Sequence, residues 1–371
     1  MVITLEIMAS PRSVLCAILI TLSTVSCYAA RTNNNRKTLF VFGDSLFDPG
    51  NNQYLKSSNR EASTKWPYGE TYFNHPTGRF SDGRIVPDFI AQFANLTILP
   101  PYLQHGARQF IDGVNFASAG ARVLAHNDLK GVINLPTQLG YFKTLVKSLE
   151  QKLGDQKTQR VLNSAVYLFS MGGNDYFGLR NQNPNVTRSY KTQYAKMVVG
   201  NLTNTLKEVY ILGGRKIAFQ NVGPLGCVPS VRARNAQVGG GCDEVASAMA
   251  RQHNRFLSVA LKKLNSTLPG FYYSIFDYYN ALLGKINNPS KYEFKEGHAA
   301  CCGNGAYRAF GCGGGFSGKE KFEVCHNPAE YVWFDGAHTT EKANRQLAEL
   351  IWNGPPMFTG PYTVKQLFGY A

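Results

Sequence analysis

Short apolar, β-prone runs alternate with amphipathic, helix-like segments along most of the 371 residues of this chain. Strands alternating with helices indicate a mostly parallel sheet covered by helices on both faces, because parallel neighbours need a crossover connection. The runs predicted as strands are residues 39–42, 114–117, 166–169, 216–220 and 272–276. The sequence has no long linker and no internal repeat, so we predict an α/β fold in a single domain.

Helices are predicted between these strands wherever apolar residues recur with helical spacing. The predicted helices are residues 85–93, 139–153, 190–212, 244–264 and 340–352. A Gly- and Cys-rich stretch from about residue 297 to 325 fits neither pattern, and we interpret it as irregular. Its Gly-rich run at 313–318 resembles a dinucleotide fingerprint by pattern, but it follows no strand and is predicted to be a loop.

The first predicted strand ends in Gly43, Asp44 and Ser45, followed by further Asp, Pro, Gly and Asn residues. This pattern is typical of a buried strand that ends in a tight loop. Ligand sites of open α/β sheets form at the carboxyl ends of the strands. Ser45 is therefore a candidate nucleophile, and a serine needs a base that removes its proton.

Asp335 and His338 near the carboxyl terminus could supply that base. A carboxylate three residues before a histidine can lie on the same side of one turn. It can then accept the imidazole Nδ1–H and leave Nε2 to take the serine proton. An isolated Asp-x-x-His is more often a surface turn. The pair therefore indicates a catalytic base only in combination with Ser45.

Acyl transfer also needs donors for the developing oxyanion. Asn174 directly follows the third predicted strand, and Gly120 follows the second, where a glycine lets a backbone N–H approach closely. Gly/Asn segments are also ordinary turns. Ser118 is a rival nucleophile, but no base lies near it in sequence. The chain has no G-x-S-x-G elbow, which argues against an ordinary α/β-hydrolase.

These segments together resemble the four blocks of the GDSL esterase/lipase family within the SGNH hydrolases, and most of all its plant-type branch. The blocks are Gly43-Asp44-Ser45-Leu46, Gly120 after Asn115-Phe116-Ala117, Gly172-x-Asn174-Asp175 and Asp335-x-x-His338. Asp48-x-Gly50-Asn51-Asn52, residues 221–227 and Cys301-Cys302-Gly303 also resemble that branch. The resemblance spans roughly residues 37–353.

The resemblance implies a three-layer α/β/α sandwich with a mostly parallel sheet of about five strands. It implies Ser45 as nucleophile, His338 as base and Asp335 as its partner. It also implies an oxyanion hole formed by the N–H groups of Ser45 and Gly120 and the side chain of Asn174, and it implies no metal and no organic cofactor. Many relatives carry a second glycine where this chain has Arg122, which lies either at the pocket rim or, as the sequence slightly favours, in solvent.

The amino terminus predicts export. Residues 1–29 have the basic residue, apolar run and small residues of a signal peptide, and residues 30–371 would then be the mature domain. Met1 and Met8 are both plausible starts. A secreted, extracellular protein of the cell wall or apoplast is predicted, with the vacuole as the alternative. Four sequons are candidate N-glycosylation sites: Asn95, Asn185, Asn201 and Asn265.

Six of the eight cysteines lie outside the predicted signal peptide. An even number in a secreted chain indicates disulfides. We predict a bond between Cys227 and Cys242, which bracket one basic, Gly-rich loop, and leave the pairing of Cys301, Cys302, Cys312 and Cys325 open. A zinc site formed by cysteines with His298 and His326 is the less favoured alternative, because no C-x-x-C spacing is present.

The formal net charge is +15. Its simplest interpretation is solubility with retention on an acidic cell-wall polysaccharide. Nucleic acid is not a predicted partner, because the basic residues are scattered and no binding module is recognisable. No stable membrane anchor is predicted either. The expected partner is a small-molecule or lipid ester.

Three functions remain open from the sequence. The first is a secreted esterase or lipase of carboxylic esters, active above roughly pH 6–7 where a histidine base loses its proton. The second is an acyltransferase that uses the same acyl-enzyme with an alcohol acceptor. The third is a non-catalytic wall or defence protein, which would not need the complete set of Ser, Gly, Asn, Asp and His residues.

Overall fold

The computed structural model describes residues 37–55, 62–104, 110, 112–124, 131–182, 186–234, 239–315 and 318–370. Its centre is a six-stranded sheet. The strands are β1 (Leu39–Gly43), β2 (Gly113–Asn115), β3 (Val166–Ser170), β4 (Lys216–Gln220), β5 (Tyr272–Phe276) and β10 (Thr359–Pro361). The order is β10-β5-β4-β3-β1-β2, and all neighbours are parallel except β10, which runs antiparallel to β5. The predicted α/β class is confirmed.

The register brings the carboxyl ends of four strands to one line. Gly43 pairs with Ser170, Ser170 with Gln220, and Gln220 with Phe276. Asn115 at the end of β2 pairs with Val41, two residues before the end of β1. The loops that follow β1, β2 and β3 therefore leave the same edge of the sheet, and these loops carry Ser45, Gly120 and Asn174.

Helices cover both faces of the sheet because alternate strand residues point to opposite sides. Phe40 and Phe42 of β1 belong to one buried cluster, and Leu39 and Val41 to another. The first cluster includes side chains of α2 (Leu135–Leu153), α3 (Asp155–Ser164), α4 (Gly173–Gln182), α5 (Arg188–Ile211) and α7 (Glu244–Thr267). The second includes those of α1 (Val86–Phe93), α6 (Pro229–Arg234), α8 (Tyr278–Asn287), α9 (Glu341–Asn353) and α10 (Val364–Gly369). The molecule is thus a three-layer α/β/α sandwich.

The Gly- and Cys-rich stretch and the residues that follow it contain short strands that the sequence did not predict. The strands β6 (Glu296–Ala300) and β9 (Tyr331–Trp333) pair parallel, and β7 (Cys302–Gly303) and β8 (Glu323–Val324) pair antiparallel. The chain turns after β9 and enters α9, so His338 lies between a strand end and a helix start. Among the described residues, no helix combines the length and apolar character needed to cross a bilayer.

Some helices and strands begin or end at residues other than those predicted, because of local hydrogen bonds and proline. The helix predicted from 139 begins at Leu135, where Pro136 occupies the first turn, a position that tolerates its missing N–H. The strand predicted to reach 117 ends at Asn115, because the Asn115 side chain accepts the Ala117 N–H and closes a turn. The predicted signal peptide and the alternative start at Met8 lie outside the described residues.

Candidate active site

Ser45 lies in a turn directly after β1. The Leu46 N–H donates to the Asp44 carboxylate at 3.1 Å, and the Phe47 N–H donates to the Asp44 carbonyl at 3.0 Å. Gly43 is required before this turn, since a Cβ there would lie 2.9 Å from both the Phe47 Cβ and the Ser170 carbonyl oxygen. The turn leaves Ser45 partly exposed at the carboxyl edge of the sheet.

His338 contacts Ser45 across 293 positions of sequence. The His338 Nε2 lies 2.8 Å from the Ser45 Oγ, and its Nδ1 lies 2.8 Å from both oxygens of the Asp335 carboxylate. When Nδ1 carries the proton and donates it to Asp335, Nε2 is able to accept the Ser45 proton. The three residues named from sequence thus form one hydrogen-bonded chain.

Asp335 and His338 share a turn that differs from the expected helical one. The Asp335 Oδ1 accepts the backbone N–H groups of Ala337 and His338, each at 2.9 Å. The carboxylate therefore closes an Asx-type turn while it also faces the imidazole ring. Burial alone would raise the pKa of Asp335, but the charge and hydrogen bond of His338 and further N–H and O–H donors outweigh it and lower that pKa.

Two aromatic residues support the histidine and its carboxylate. The ring of Phe80 lies against the His338 ring, with centroids 4.6 Å apart. The Tyr68 hydroxyl donates to the Asp335 Oδ2 at 2.8 Å. Neither residue was predicted from sequence. They lie more than 250 positions before His338, and no spacing rule connects them to it.

The loop after Ser45 is hydrogen-bonded to the loop that carries Gly120. The buried Asp48 accepts the Ala119 N–H at 2.7 Å, and the Asn52 side chain donates to the Ala119 carbonyl at 2.9 Å. Ser118 is fully buried, and its hydroxyl donates to the Asn52 Oδ1 at 2.5 Å. These contacts fix the chain just before Gly120. They also make Ser118 a structural residue rather than a second nucleophile.

The loop after Gly120 is held by the start of α4. The Asn174 Nδ2 donates to the Ala121 carbonyl at 3.1 Å, and Asp175 accepts the N–H groups of Val123 and Leu124 at 2.9 and 3.0 Å. Gly120 has φ +78°, a conformation that favours glycine. Within the part of the chain that the structure describes, the Gly120 N–H donates to no protein acceptor. Asn174 therefore contacts the residue that directly follows Gly120, an arrangement compatible with an oxyanion hole.

Two buried carboxyl groups at this edge titrate unusually. Burial raises the pKa of Asp44 to about 6, against the lowering effects of the Leu46 N–H and the nearby His338. Burial also raises the pKa of Asp175 to about 7, against two backbone N–H groups and the charge of Arg122. Asp44 is thus a second titratable group that interacts electrostatically with His338.

Arg122 is only partly exposed and does not extend into solvent, contrary to the slightly favoured prediction. Its guanidinium packs against α4, where a Cβ on Gly178 would come within 2.7–2.9 Å of it. Its charge acts on Asp175 and Tyr194. The guanidinium fits there because Gly178 has no side chain. No sequence feature near Arg122 indicates this contact with α4.

All six cysteines outside the predicted signal peptide form disulfides. Cys227 is bonded to Cys242, the pair favoured from sequence. The two pairs left open are Cys301–Cys325 and Cys302–Cys312. Because every thiol is used, no thiolate remains for the zinc alternative. The described residues contain no group of three or more His, Cys, Asp or Glu side chains arranged to hold a metal ion.

Three of the four sequons lie on the described surface. The side chains of Asn95, Asn201 and Asn265 are exposed, on a turn after α1, on α5 and near the end of α7 respectively. Asn185 lies outside the described residues. The Nδ2 atoms of Asn201 and Asn265 donate to the carbonyls of Met197 and Phe271, at 2.9 and 2.6 Å.

The family model and the relatives that match this chain all indicate the same family. A family model described as GDSL-like lipase/acylhydrolase matches residues 39–351. The chain is 46% identical over 358 residues to "GDSL esterase/lipase 1" of Arabidopsis thaliana, covering 95% of each chain. It is 46% identical over 331 residues to a "GDSL lipase" of Tanacetum cinerariifolium, covering 89% of this chain and 87% of that one.

A more distant relative carries a different description. The chain is 37% identical over 331 residues to "Inactive GDSL esterase/lipase-like protein 25" of Arabidopsis thaliana, covering 89% of this chain and 74% of that one. The relatives of this chain thus include a protein described as inactive, so the evidence for the roles of individual residues is the geometry around Ser45.

Proposed function

Because the chain belongs to the GDSL-like lipase/acylhydrolase family and is a carboxylic ester hydrolase, we propose that it is a secreted serine esterase with Ser45, His338 and Asp335 as its catalytic triad. The observation that carries the proposal is the unbroken hydrogen-bonded chain from the Ser45 Oγ through His338 to Asp335, with 2.8 Å at each step. A serine is activated when an oriented base lies within hydrogen-bond reach.

The reaction begins when His338 Nε2 takes the proton of Ser45 as the Oγ attacks the ester carbonyl carbon. The charge that develops on the carbonyl oxygen is stabilised by the N–H groups of Ser45 and Gly120 and by the side-chain amide of Asn174. Asp335 keeps the imidazole in the required tautomer and stabilises the imidazolium. Collapse of the tetrahedral intermediate breaks the C–O bond, and His338 protonates the leaving alcohol.

Water then attacks the acyl-enzyme with His338 again as base, and the carboxylic acid leaves. An alcohol that reached the same carbon first would give a new ester, which is the acyltransferase alternative. Both routes share Ser45 and differ in the second nucleophile. The reaction needs no organic cofactor and no metal ion.

The decisive experiment compares the wild-type protein with Ser45→Ala on p-nitrophenyl esters from C2 to C16. Ser290→Ala, at an exposed position away from the site, is the matched control. We expect Ser45→Ala to lose turnover on every ester and Ser290→Ala to keep it. A burst without turnover that an added alcohol relieves would favour the acyltransferase. Full function in Ser45→Ala would favour a non-catalytic role and contradict the proposal.

We further propose that the protein is exported to the cell wall or apoplast, with the vacuole as the alternative destination. The amino-terminal apolar segment, the exposed Asn95, Asn201 and Asn265 and the three disulfides support this assignment. The net charge of +15 supports retention on an acidic polysaccharide. Expression of the full chain in plant cells should place a glycosylated protein in the wall fraction, and glycosidase treatment should lower its mass. An unglycosylated protein in the cytosol would contradict this proposal.

A further inference from the structure

Tyr68 contacts the buried end of the Ser45–His338–Asp335 chain. Its side chain is 3% exposed, and its hydroxyl donates to the Asp335 Oδ2 at 2.8 Å. The two residues are 267 positions apart in sequence. A hydrogen bond between a buried hydroxyl and a buried carboxylate is stronger than an exposed one, because water does not compete for either group.

The Tyr68 ring is held in a fixed position. It meets the rings of Phe80 and Phe334 nearly edge-on, at centroid distances of 5.8 and 5.2 Å. It belongs to one buried cluster with Cys301, Cys302 and Cys312, and a Cβ on Gly313 would lie 3.1 Å from the ring. Cysteines of two disulfides therefore belong to the same buried cluster as the residue that donates to Asp335.

We propose that Tyr68 is a positioning residue of the triad, whose hydroxyl orients the Asp335 carboxylate and draws part of its negative charge away from His338. This inference rests on the proposed function. The Asp335 Oδ1 is oriented by two backbone N–H groups of its own turn, whereas the Oδ2 receives the Tyr68 hydroxyl from a distant segment. Removal of that hydroxyl loosens the carboxylate and leaves more charge on the Oδ2.

The expected consequences concern rate and pH dependence. A looser carboxylate aligns His338 less well in the transition state, which lowers kcat. A carboxylate that keeps more of its charge also holds a proton on the imidazole more tightly. The acidic limb of the kcat/KM profile should therefore move to higher pH. Substrate binding does not involve this buried bond, so KM should change little.

The groups that act on His338 include Asp335 and the Ser45 hydroxyl by direct contact, Asp44 by its charge and, through Asp335, Tyr68. Burial raises the pKa of Asp44 to about 6, so the titration of Asp44 also affects the acidic side of the profile. It is present in both the wild type and a Tyr68 variant. The difference between the two profiles therefore reports on Tyr68.

The test compares Tyr68→Phe with Tyr72→Phe, whose ring is 42% exposed four residues later, in the full-length glycoprotein. For Tyr68→Phe we expect kcat to fall about 10-fold, the scale of one hydrogen bond to a charged group. We expect KM within about twofold of the wild type and the acidic limb shifted upward by roughly half a pH unit. Tyr72→Phe should match the wild type throughout.

A Tyr68→Phe protein with wild-type kcat and an unmoved acidic limb would overturn the inference. A fall in kcat without any shift of the limb would also overturn it, because packing alone would explain that result. Thermal unfolding of Tyr68→Phe and Tyr72→Phe shows whether a fall in kcat is caused by loss of stability. If Ser45→Ala keeps full activity, the proposed function fails; if Ser45→Ala is inactive and Tyr68→Phe behaves like Tyr72→Phe, this inference alone fails.

Discussion

The two halves of the candidate site are built by different means. One half, which we call the sheet-edge half, carries Ser45, Gly120 and Asn174. It consists of short loops at the carboxyl edge of the parallel sheet. Buried Asp and Asn side chains hold these loops to one another. The other half, which we call the disulfide half, carries Asp335 and His338. It follows an irregular segment whose strands are only two to five residues long. Two disulfides and an aromatic cluster stabilise it.

This difference follows from where each half lies in the chain fold. The sheet already places the first half, so a few side-chain hydrogen bonds between adjacent loops are enough. The second half lies outside the main sheet and has little regular hydrogen bonding of its own. Covalent links restrict its unfolded states instead. The first half should therefore be sensitive to polar substitutions, and the second to loss of its disulfides and rings.

After the complete loss expected for Ser45→Ala, the largest effect within the sheet-edge half is expected for Asn174→Ala. Loss of one oxyanion donor lowers kcat roughly 10²–10³-fold in comparable hydrolases. The substitution also removes the bond to the Ala121 carbonyl, so the Gly120 loop should become less well ordered. Steady-state kinetics on a short p-nitrophenyl ester measure the effect. Asn353→Ala, at an exposed helix end, is the control, and a folded Asn174→Ala protein with wild-type kcat would contradict the oxyanion assignment.

The disulfide half is probed by the double variant Cys302→Ser/Cys312→Ser. The two cysteines are 10 residues apart, for which loss of the cross-link costs about 3 kcal/mol of stability by loop entropy. Cys227→Ser/Cys242→Ser, with a separation of 15 residues, should lose a similar amount. Urea unfolding measures both.

The activities of the two double variants should nevertheless differ. At a temperature where both remain folded, the Cys302/Cys312 variant should have the lower kcat, because Cys302 and Cys312 share a buried cluster with Tyr68. Equal kcat values in the two variants would show that the disulfide half contributes stability without orienting Asp335.

The smallest effect concerns Asp44 and the pH dependence of stability. Burial raises its pKa to about 6 from 3.8, so between about pH 4 and 6 the folded state binds more protons than the unfolded state. Stability contributed by this group therefore falls as pH rises through that window and stays low above it. Asp44→Asn, which can still accept the Leu46 N–H, should remove that fall.

The expected gain of Asp44→Asn over the wild type at pH 7 is on the order of 1–3 kcal/mol, and it should vanish near pH 4. Urea unfolding at both pH values tests this, with the exposed Asp155→Asn as control. A variant that is less stable than the wild type at pH 7 would mean that the Asp44 charge stabilises the Ser45 turn. Such a result would make the sheet-edge half depend on electrostatics more than on hydrogen bonds.

Much of the sheet could be predicted from the sequence. The strands β4 and β5 were predicted with their observed bounds, and β1 and β3 ended within one residue, because a buried strand is a continuous apolar run with polar residues or glycine at its end. The antiparallel β10 was missed. It is three residues long and contains Gly360 and Pro361, so it has no apolar alternation.

The residues of the candidate site also divide into those that could be predicted from the sequence and those that could not. Ser45 and Asn174 could be named because each follows a strand end, and Asp335 and His338 because their spacing lies within one turn. Tyr68, Phe80, the Asp48–Asn52 loop and the direction of Arg122 could not be assigned roles. Their partners lie tens to hundreds of positions away, and nothing in the residues themselves encodes that pairing.

The sequence by itself determined which segments become strands and helices, where polar residues end them, and which side chains have acyl-transfer chemistry. Those properties depend on local periodicity and on the chemistry of neighbouring residues. Only the tertiary structure decided the strand order, the pairing of Cys301 with Cys325 and Cys302 with Cys312, and the bond from Tyr68 to Asp335. These contacts arise when distant segments bury apolar surface together, and that burial is non-directional, so the identity of the partners appears only once the whole chain is packed.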